Sequence, residues 1–485
     1  MPTQLARDVS ASFVVFLVAV PLCMGIAIAS GVPPERGLIA GIVGGIVVGL
    51  LSGSPLQVSG PAAGLVVMVF DLIEAHGIGA LGPVLVLAGL LQCAAGLLKL
   101  GRWFRAISPA VVHGMLAGIG ILIVAGQLHV LLDRKPMAGG LDNLLAAPSA
   151  FLGLLPLDGV GGEAALLIGL ITIAGMLAWE RWRPDALRLV PGALIGVVTA
   201  SAATAALSLP VLHVNVPDRM WEGMSLPDAG AFGALLQPGL MMTAVALAFI
   251  ASAESLLSAS AVDRMQDRVR TDYDRELVAQ GVGNGVSGLL GGLPVTGVIV
   301  RSSANVQAGA QTRLAAVLHG VLILAFVAAA PGVLRAVPTA ALAGVLVVTG
   351  WRLVSLRHVR ELLHAHGWMP VAIWGATCIG VVAVDLLTGV LTGLALSVAE
   401  SVQQARSLGF RMRRTETDGG TELRLAGTAT FLRLPQLLAA VEAEPGDRPV
   451  RIRTRGLRHT DHTFASALQQ LAARSGTGGR KIVVG

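Results

Sequence analysis

Up to about Val402 the chain alternates long apolar runs with short connections rich in Arg, Pro and Gly. At helical rise, about 20 apolar residues cross a hydrocarbon layer of roughly 30 Å. Cutting at the polar and Pro/Gly punctuation predicts about fourteen helical segments. The first seven run Ser10 to Ser30, Gly37 to Ser52, Gly60 to Ala75, Ala80 to Leu100, Ser108 to Leu132, Glu163 to Trp179 and Val190 to Leu207. The second seven run Pro238 to Val262, Glu276 to Gly291, Thr296 to Ala308, Leu314 to Ala330, Thr339 to Trp351, Met369 to Val384 and Leu386 to Val402.

Two of these segments are short and share their punctuation: "VSGPAAGLVVMVF" from Val58 and "PVTGVIVRSSANV" from Pro294. One is third in the first seven and the other third in the second seven. Gly/Pro-interrupted short segments at matching places in two halves point to a binding site built from half-helices in an inverted repeat. The pattern therefore predicts an all-α polytopic membrane protein, with repeats over about 8–208 and 235–403 inside a domain of residues 1–406.

From about Ser407 the pattern changes. "TELRLAGTATF", "PVRIRTRG" and "RKIVVG" alternate or run like strands, and "LPQLLAAVEAE" and "TFASALQQLAARSG" carry helical periodicity. Residues 407–485 therefore predict a small separate α/β domain in βαβαβ order, with Asp461 as the cap of its second helix.

Composition agrees with a membrane protein: 54% of residues are hydrophobic, 13% charged, and mean hydropathy is +0.75. The 61 glycines and 24 prolines favour close helix contacts and broken helices, as in a transporter or channel. A first apolar run that contains Pro21 and Gly25 and leads straight into another reads as a membrane helix, not a cleaved signal. The net charge of +6 sits in the connections, so it reads as topology and not as a nucleic-acid surface. Counted from a cytoplasmic N-terminus, Lys99, Arg102, Arg105, Arg181, Arg183, Arg188, Arg264, Arg268, Arg270, Arg275, Arg313, Arg352, Arg357 and Arg360 fall on the cytoplasmic side. That bias places both termini in the cytoplasm. Cys23, Cys93 and Cys378 show no CxxC spacing, which gives no disulfide framework or zinc site, and no nucleophile triad, HExxH or Walker loop marks an enzyme.

Two charges stand inside apolar segments, Glu254 in "IASAESLL" and Arg301 in "GVIVRSS". A charge at membrane depth is costly, so each should face the bundle interior and serve a function or pair with another group. For Arg301 the alternatives are a substrate, neutralisation by a carboxylate, or snorkelling toward an interface. For Glu254 they are binding of a proton or sodium ion, or a structural ion pair with Arg301.

"VPLCMGIAIASGVPPERGLIAGIVGGIVVGLLSGSPLQVSGPAAG", "IASAESLLSASAVDRM" and "GNGVSGLLGGLPVTGVIVRSSANVQAGAQTR" together resemble the SulP, or solute carrier 26, family of inorganic anion transporters, and the tail resembles a shortened form of its STAS domain. The resemblance implies seven plus seven inverted spans divided into core and gate. It also implies an anion held between the facing N-termini of spans three and ten, where unsatisfied N–H groups and the helix dipole favour negative charge. Carried onto this chain, the contributing backbone is Ala62, Ala63 and Gly64 on one side and Gly297, Val298 and Ile299 on the other, with Thr296 capping span ten and Arg301 adding positive field. Leu22 and Ile26 occupy the lining positions of span one, where other members carry polar or aromatic residues. Coordination is then almost wholly through backbone.

The implied function is secondary active transport of bicarbonate, sulfate or a dicarboxylate across a bacterial-type inner membrane, coupled to sodium or protons through Glu254. An uncoupled channel or an exchanger of the same fold is the alternative. The resemblance also implies a homodimer and, from the wording of its first block, an association with carbonic anhydrase. It implies no cofactor beyond a coupling ion.

Overall fold

A computed structural model of the chain describes residues 2–101, 108–137, 140–153, 162–187, 189–217, 224, 226–227, 229–266, 269–405, 410–417, 420–430, 433–444, 449–460, 462–473 and 482–484. Arg102, Arg105, Arg188, Arg268 and Asp461, named above, lie outside the described residues.

The first repeat consists of α1 (Pro2–Ala29), α2 (Pro34–Val43, continued to Leu51 through a π turn), strand β1 (Ser59–Pro61), half-helix α3 (Val66–His76), α4 (Leu81–Leu97), α5 (Pro109–Leu131), a short α6 (Gly140–Leu152), α7 (Gly162–Trp182) and α8 (Gly192–Leu207). The second follows as α9 (Pro238–Met265), α10 (Tyr273–Leu289), strand β2 (Val295–Gly297), half-helix α11 (Ile299–Gln307), α12 (Leu314–Ala329), α13 (Thr339–Leu353), α14 (Leu356–His366), α15 (Trp368–Ala383) and α16 (Leu386–Ala405). Every apolar segment expected from the sequence is present, and the half-helix stands third in each set. Among the described residues six helices are long and apolar enough to cross a membrane, and five more apolar helices are shorter.

Three features depart from the pattern. Helices α6 and α14 were not expected: the first carries Pro148 within it, and the second is an amphipathic connection with a narrow apolar stripe. The half-helices also begin later than their apolar runs, because Ser59–Pro61 and Val295–Gly297 are extended.

By internal contacts the chain forms two compact units. One comprises Met1–Gly101, Ile119–Val354 and Val382–Leu386 and holds both strands and both half-helices. Within it α4 and α10 pack so closely that Gly82 and Gly89 on α4 meet the α10 backbone at Gly288 and Gly281, the small-residue contact that lipid-embedded helices use.

The other unit comprises Arg102–Gly118, Ser355–Val381 and Leu387–Gly485. It contains the tail, a sheet in order β3 (Arg411–Thr417), β4 (Gly420–Ala429), β5 (Val450–Thr460), β6 (Ile482–Val484), with α17 (Leu434–Glu442) and α18 (His462–Ala473) in the crossovers. β4, β5 and β6 are parallel, as βαβαβ order requires, and β3 adds an antiparallel edge that was not expected. Its sequence, "RMRRTET", is too polar to read as a strand. Leu423, Leu425, Val450 and Ile452 pack with Leu437, Leu438, Phe464 and Leu468, so both helices cover the same face of the sheet.

Candidate anion site at the half-helices

Strands β1 and β2 come from different repeats and pair antiparallel, with Ser59 opposite Gly297, Gly60 opposite Thr296 and Pro61 opposite Val295. The pairing extends one step each way: Val298 N–H donates to Val58 O at 3.0 Å and Ala62 N–H to Pro294 O at 3.2 Å. Non-helical backbone at membrane depth requires partners within the protein, and each strand supplies them to the other. Beyond the ribbon, a single 3₁₀ turn at Ala63–Leu65 leads into α3, and Val298 is the N-cap of α11.

This geometry corrects the donor set. The N–H groups of Ala62 and Val298 are used across the ribbon, and that of Gly297 donates to Ser255 Oγ at 3.1 Å. Thr296 does not cap span ten: it lies in β2, and the N-cap makes no side-chain bond. The donors left for a ligand are that of Ala63 before α3 and those of Ile299 and Val300 in the first turn of α11, where no helical acceptor exists, while the Gly64 N–H faces the Glu254 carboxylate. Each helix starts later than its apolar run, so the free amides move with it.

Glu254 lies on α9, facing Gly64. A Cβ on Gly64 would come within 2.9 Å of its Oε2, so only glycine fits beside the carboxyl. The carboxyl also lies beside the Thr296 hydroxyl. Glu254 Oε2 and Thr296 Oγ1 are both buried with no partner at hydrogen-bonding geometry among the described residues.

Arg301 is fully buried and is the largest such side chain among the described residues. Its guanidinium lies against Gly60, where a Cβ would collide with it, and near Cys23 and His319. No carboxylate stands within 4 Å of it among the described residues, and its three side-chain nitrogens have no hydrogen-bond partner there. A structural ion pair with Glu254 is therefore not formed. The charge sits behind β1, against Gly60.

Leu22 and Ile26 lie one turn apart on α1, both buried, and α1 packs against β1 and both half-helices. Among the described residues no cluster of His, Cys, Asp and Glu could hold a metal ion.

The residues that hold the ribbon in place form a second layer that apolar patterning does not reveal. Asn284 of α10 accepts from Val295 N–H at 2.7 Å and donates to Val295 O at 2.9 Å, while also bonding Gln92 of α4. Ser302 Oγ accepts from Val58 N–H at 2.9 Å, and Asn305 Nδ2 donates to Leu56 O at 2.9 Å. Gln57 donates to Ser255 O and packs where a Cβ on Gly297 would stand. Glu276 takes hydrogen bonds from Ser52 Oγ at 2.6 Å and Gln280 Nε2 at 2.8 Å, and Gln280 reaches Ser59 Oγ at 2.8 Å. The available signal was an unusual density of Ser, Asn and Gln in segments otherwise Gly-rich and apolar.

Residues 5–377 match the sulfate permease family. The chain belongs to that family. The putative sulfate transporter YvdB of Bacillus subtilis is 31% identical over 407 residues, covering 81% of this chain and 72% of the relative. The bicarbonate transporter BicA of a Picosynechococcus strain is 24% identical over 442 residues, covering 87% and 74%. Among solved structures, the transmembrane domain of a cyanobacterial BicA superposes with a TM-score of 0.71 at 26% identity, covering 80% of this chain and 97% of that one. SLC26A9 shares the fold over the whole chain, with a TM-score of 0.72 at 18% identity and 84% of that chain covered. The motifs quoted above thus led to the correct family, and a sulfate permease is a multi-pass membrane transporter and not an enzyme.

Proposed function

We propose that the chain is a secondary active transporter that binds a small oxyanion, bicarbonate or sulfate, at the first free amides of the two half-helices and couples its passage to a cation taken up at Glu254. The observation that carries this reading is the buried Glu254 carboxyl set beside Gly64 and the Thr296 hydroxyl, with Glu254 Oε2 and Thr296 Oγ1 given no other partner among the described residues. An ionised carboxylate there repels an anion arriving at the same amides. A proton on Glu254, or a sodium ion held by the two oxygens, removes that repulsion, so anion and cation load together.

The names borne by the similar proteins support the substrate class. The Arg/Lys bias of the connections supports an inner-membrane orientation with both termini in the cytoplasm. Alternating access then carries the loaded site from one side to the other.

The test is uptake of labelled bicarbonate, sulfate and fumarate into proteoliposomes under imposed pH and sodium gradients. Wild type should accumulate one of the oxyanions with one of the gradients, and Glu254→Gln should transport without responding to either. Flux through wild type that ignores both gradients would make the protein a passive conductor and remove Glu254 from the mechanism.

A further inference from the structure

The tail sheet buries one face under α17 and α18, and the opposite face carries a grid of side chains in register. Across β3, β4 and β5 its rows read Arg411, Ala426, Gly456, then Arg413, Arg424, Arg453, then Thr415, Glu422, Arg451. All five arginines are exposed. The single carboxylate, Glu422, is held by Arg424 at 3.0 Å and Arg453 at 2.5 Å. Arg411, Arg413 and Arg451 have no carboxylate within 4 Å among the described residues. Parallel strands are ordinarily covered on both faces, and like charges directly opposite one another on neighbouring strands destabilise a sheet. A row of three arginines on an uncovered face is thus unfavourable in isolation and is relieved by an anionic partner.

The chain itself indicates which partner is near. Helix α16 ends at Ala405 and β3 begins at Arg411, so the connection can extend at most about 20 Å. The first residues of the sheet, Arg411 and Arg413, are therefore tethered close to the membrane surface. Guanidinium groups match phosphate oxygens in planar pairs, and the anionic cytoplasmic leaflet attracts arginine within a Debye length. We infer that the arginine face of the tail sheet binds the anionic phospholipid headgroups of the adjacent leaflet. This surface is independent of which anion the membrane domain moves, though it rests on the tail lying at the cytoplasmic leaflet.

The test uses the full-length protein in nanodiscs of phosphatidylcholine alone or with phosphatidylglycerol at about 3:1, with hydrogen exchange followed over residues 411–417 and 450–457. Phosphatidylglycerol should slow exchange in both segments, and the slowing should disappear at high salt. It should be lost when Arg411, Arg413 and Arg451, the arginines without a carboxylate partner, are all replaced by Gln. Glu422→Gln, which removes the only negative charge from the grid, should strengthen it. Identical exchange in the two bilayers, or slowing that survives the triple substitution, would overturn the proposal. So would a face that responds to added polyglutamate but not to phosphatidylglycerol, which assigns it to an acidic protein instead.

Discussion

Asn284→Ala tests how the half-helix starts are held. Val295 is fully buried and stands opposite Pro61, in a position where its N–H and C=O point away from β1. Asn284 meets both groups as a third strand would, at 2.7 and 2.9 Å, and its amide also donates to Gln92 Oε1 at 2.8 Å. Alanine leaves three buried polar atoms bare. At about 1 kcal/mol each the cost is at least about 3 kcal/mol, roughly a hundredfold in the population of the ordered ribbon. Asn284→Asp keeps only the bond from Val295 N–H and sets a carboxylate against two oxygens, so it should be no better than alanine. The readouts are hydrogen exchange at 294–298 and the KM for anion uptake in proteoliposomes. Exchange should accelerate and KM should rise in both variants, because β2 sets the position of the α11 amides. Wild-type exchange and KM in Asn284→Ala would show that Val295 finds other partners and that the ribbon does not depend on this side chain.

Gly64→Ala brings a Cβ within 2.9 Å of the Glu254 carboxyl and should change the cation dependence of uptake while the protein still folds, as read from sodium and pH titrations. Gly60→Ala drives a Cβ into the buried Arg301 guanidinium and should cut the yield of monodisperse protein in detergent. Asp8, unremarked in the sequence, accepts from Gln311 N–H at 2.7 Å and Thr312 N–H at 3.1 Å, so Asp8→Ala should lower thermal stability by about 1–2 kcal/mol, as loss of a cap does. In the tail, the hydrogen bond from Arg424, with the charges of Arg453 and Arg451, holds the Glu422 carboxyl below the ordinary glutamate range. A depressed folded value means the stabilisation is full above the unfolded value of about 4.3 and is lost as pH falls through the folded one. Exchange in β4 should therefore accelerate in acid, and Glu422→Gln should remove that acid dependence.

The apolar segments were legible because burial in lipid imposes a one-dimensional requirement on length and composition. Helix starts at the ribbon were not, since a run of five or so apolar and small residues reads equally as strand or helix. β3 escaped because its side chains are Arg, Thr and Glu, and only pairing with β4 makes it a strand. Glu254 and Arg301 announced themselves by the cost of charge in an apolar run. Asn284 and Gln92 lie far apart in the chain and show their bond only when α4 and α10 are packed together.

Sequence alone determined that this is a many-span membrane protein with an α/β tail and two matched half-helices, since hydrophobic length, Pro/Gly punctuation and family motifs are local properties. Tertiary structure decided which amides remain open at those half-helices, that Arg301 sits behind the ribbon away from Glu254, and that three of the tail's arginines align in one row. Each of these depends on hydrogen-bond partners and strand register, and those are set by residues that meet only after the chain has folded.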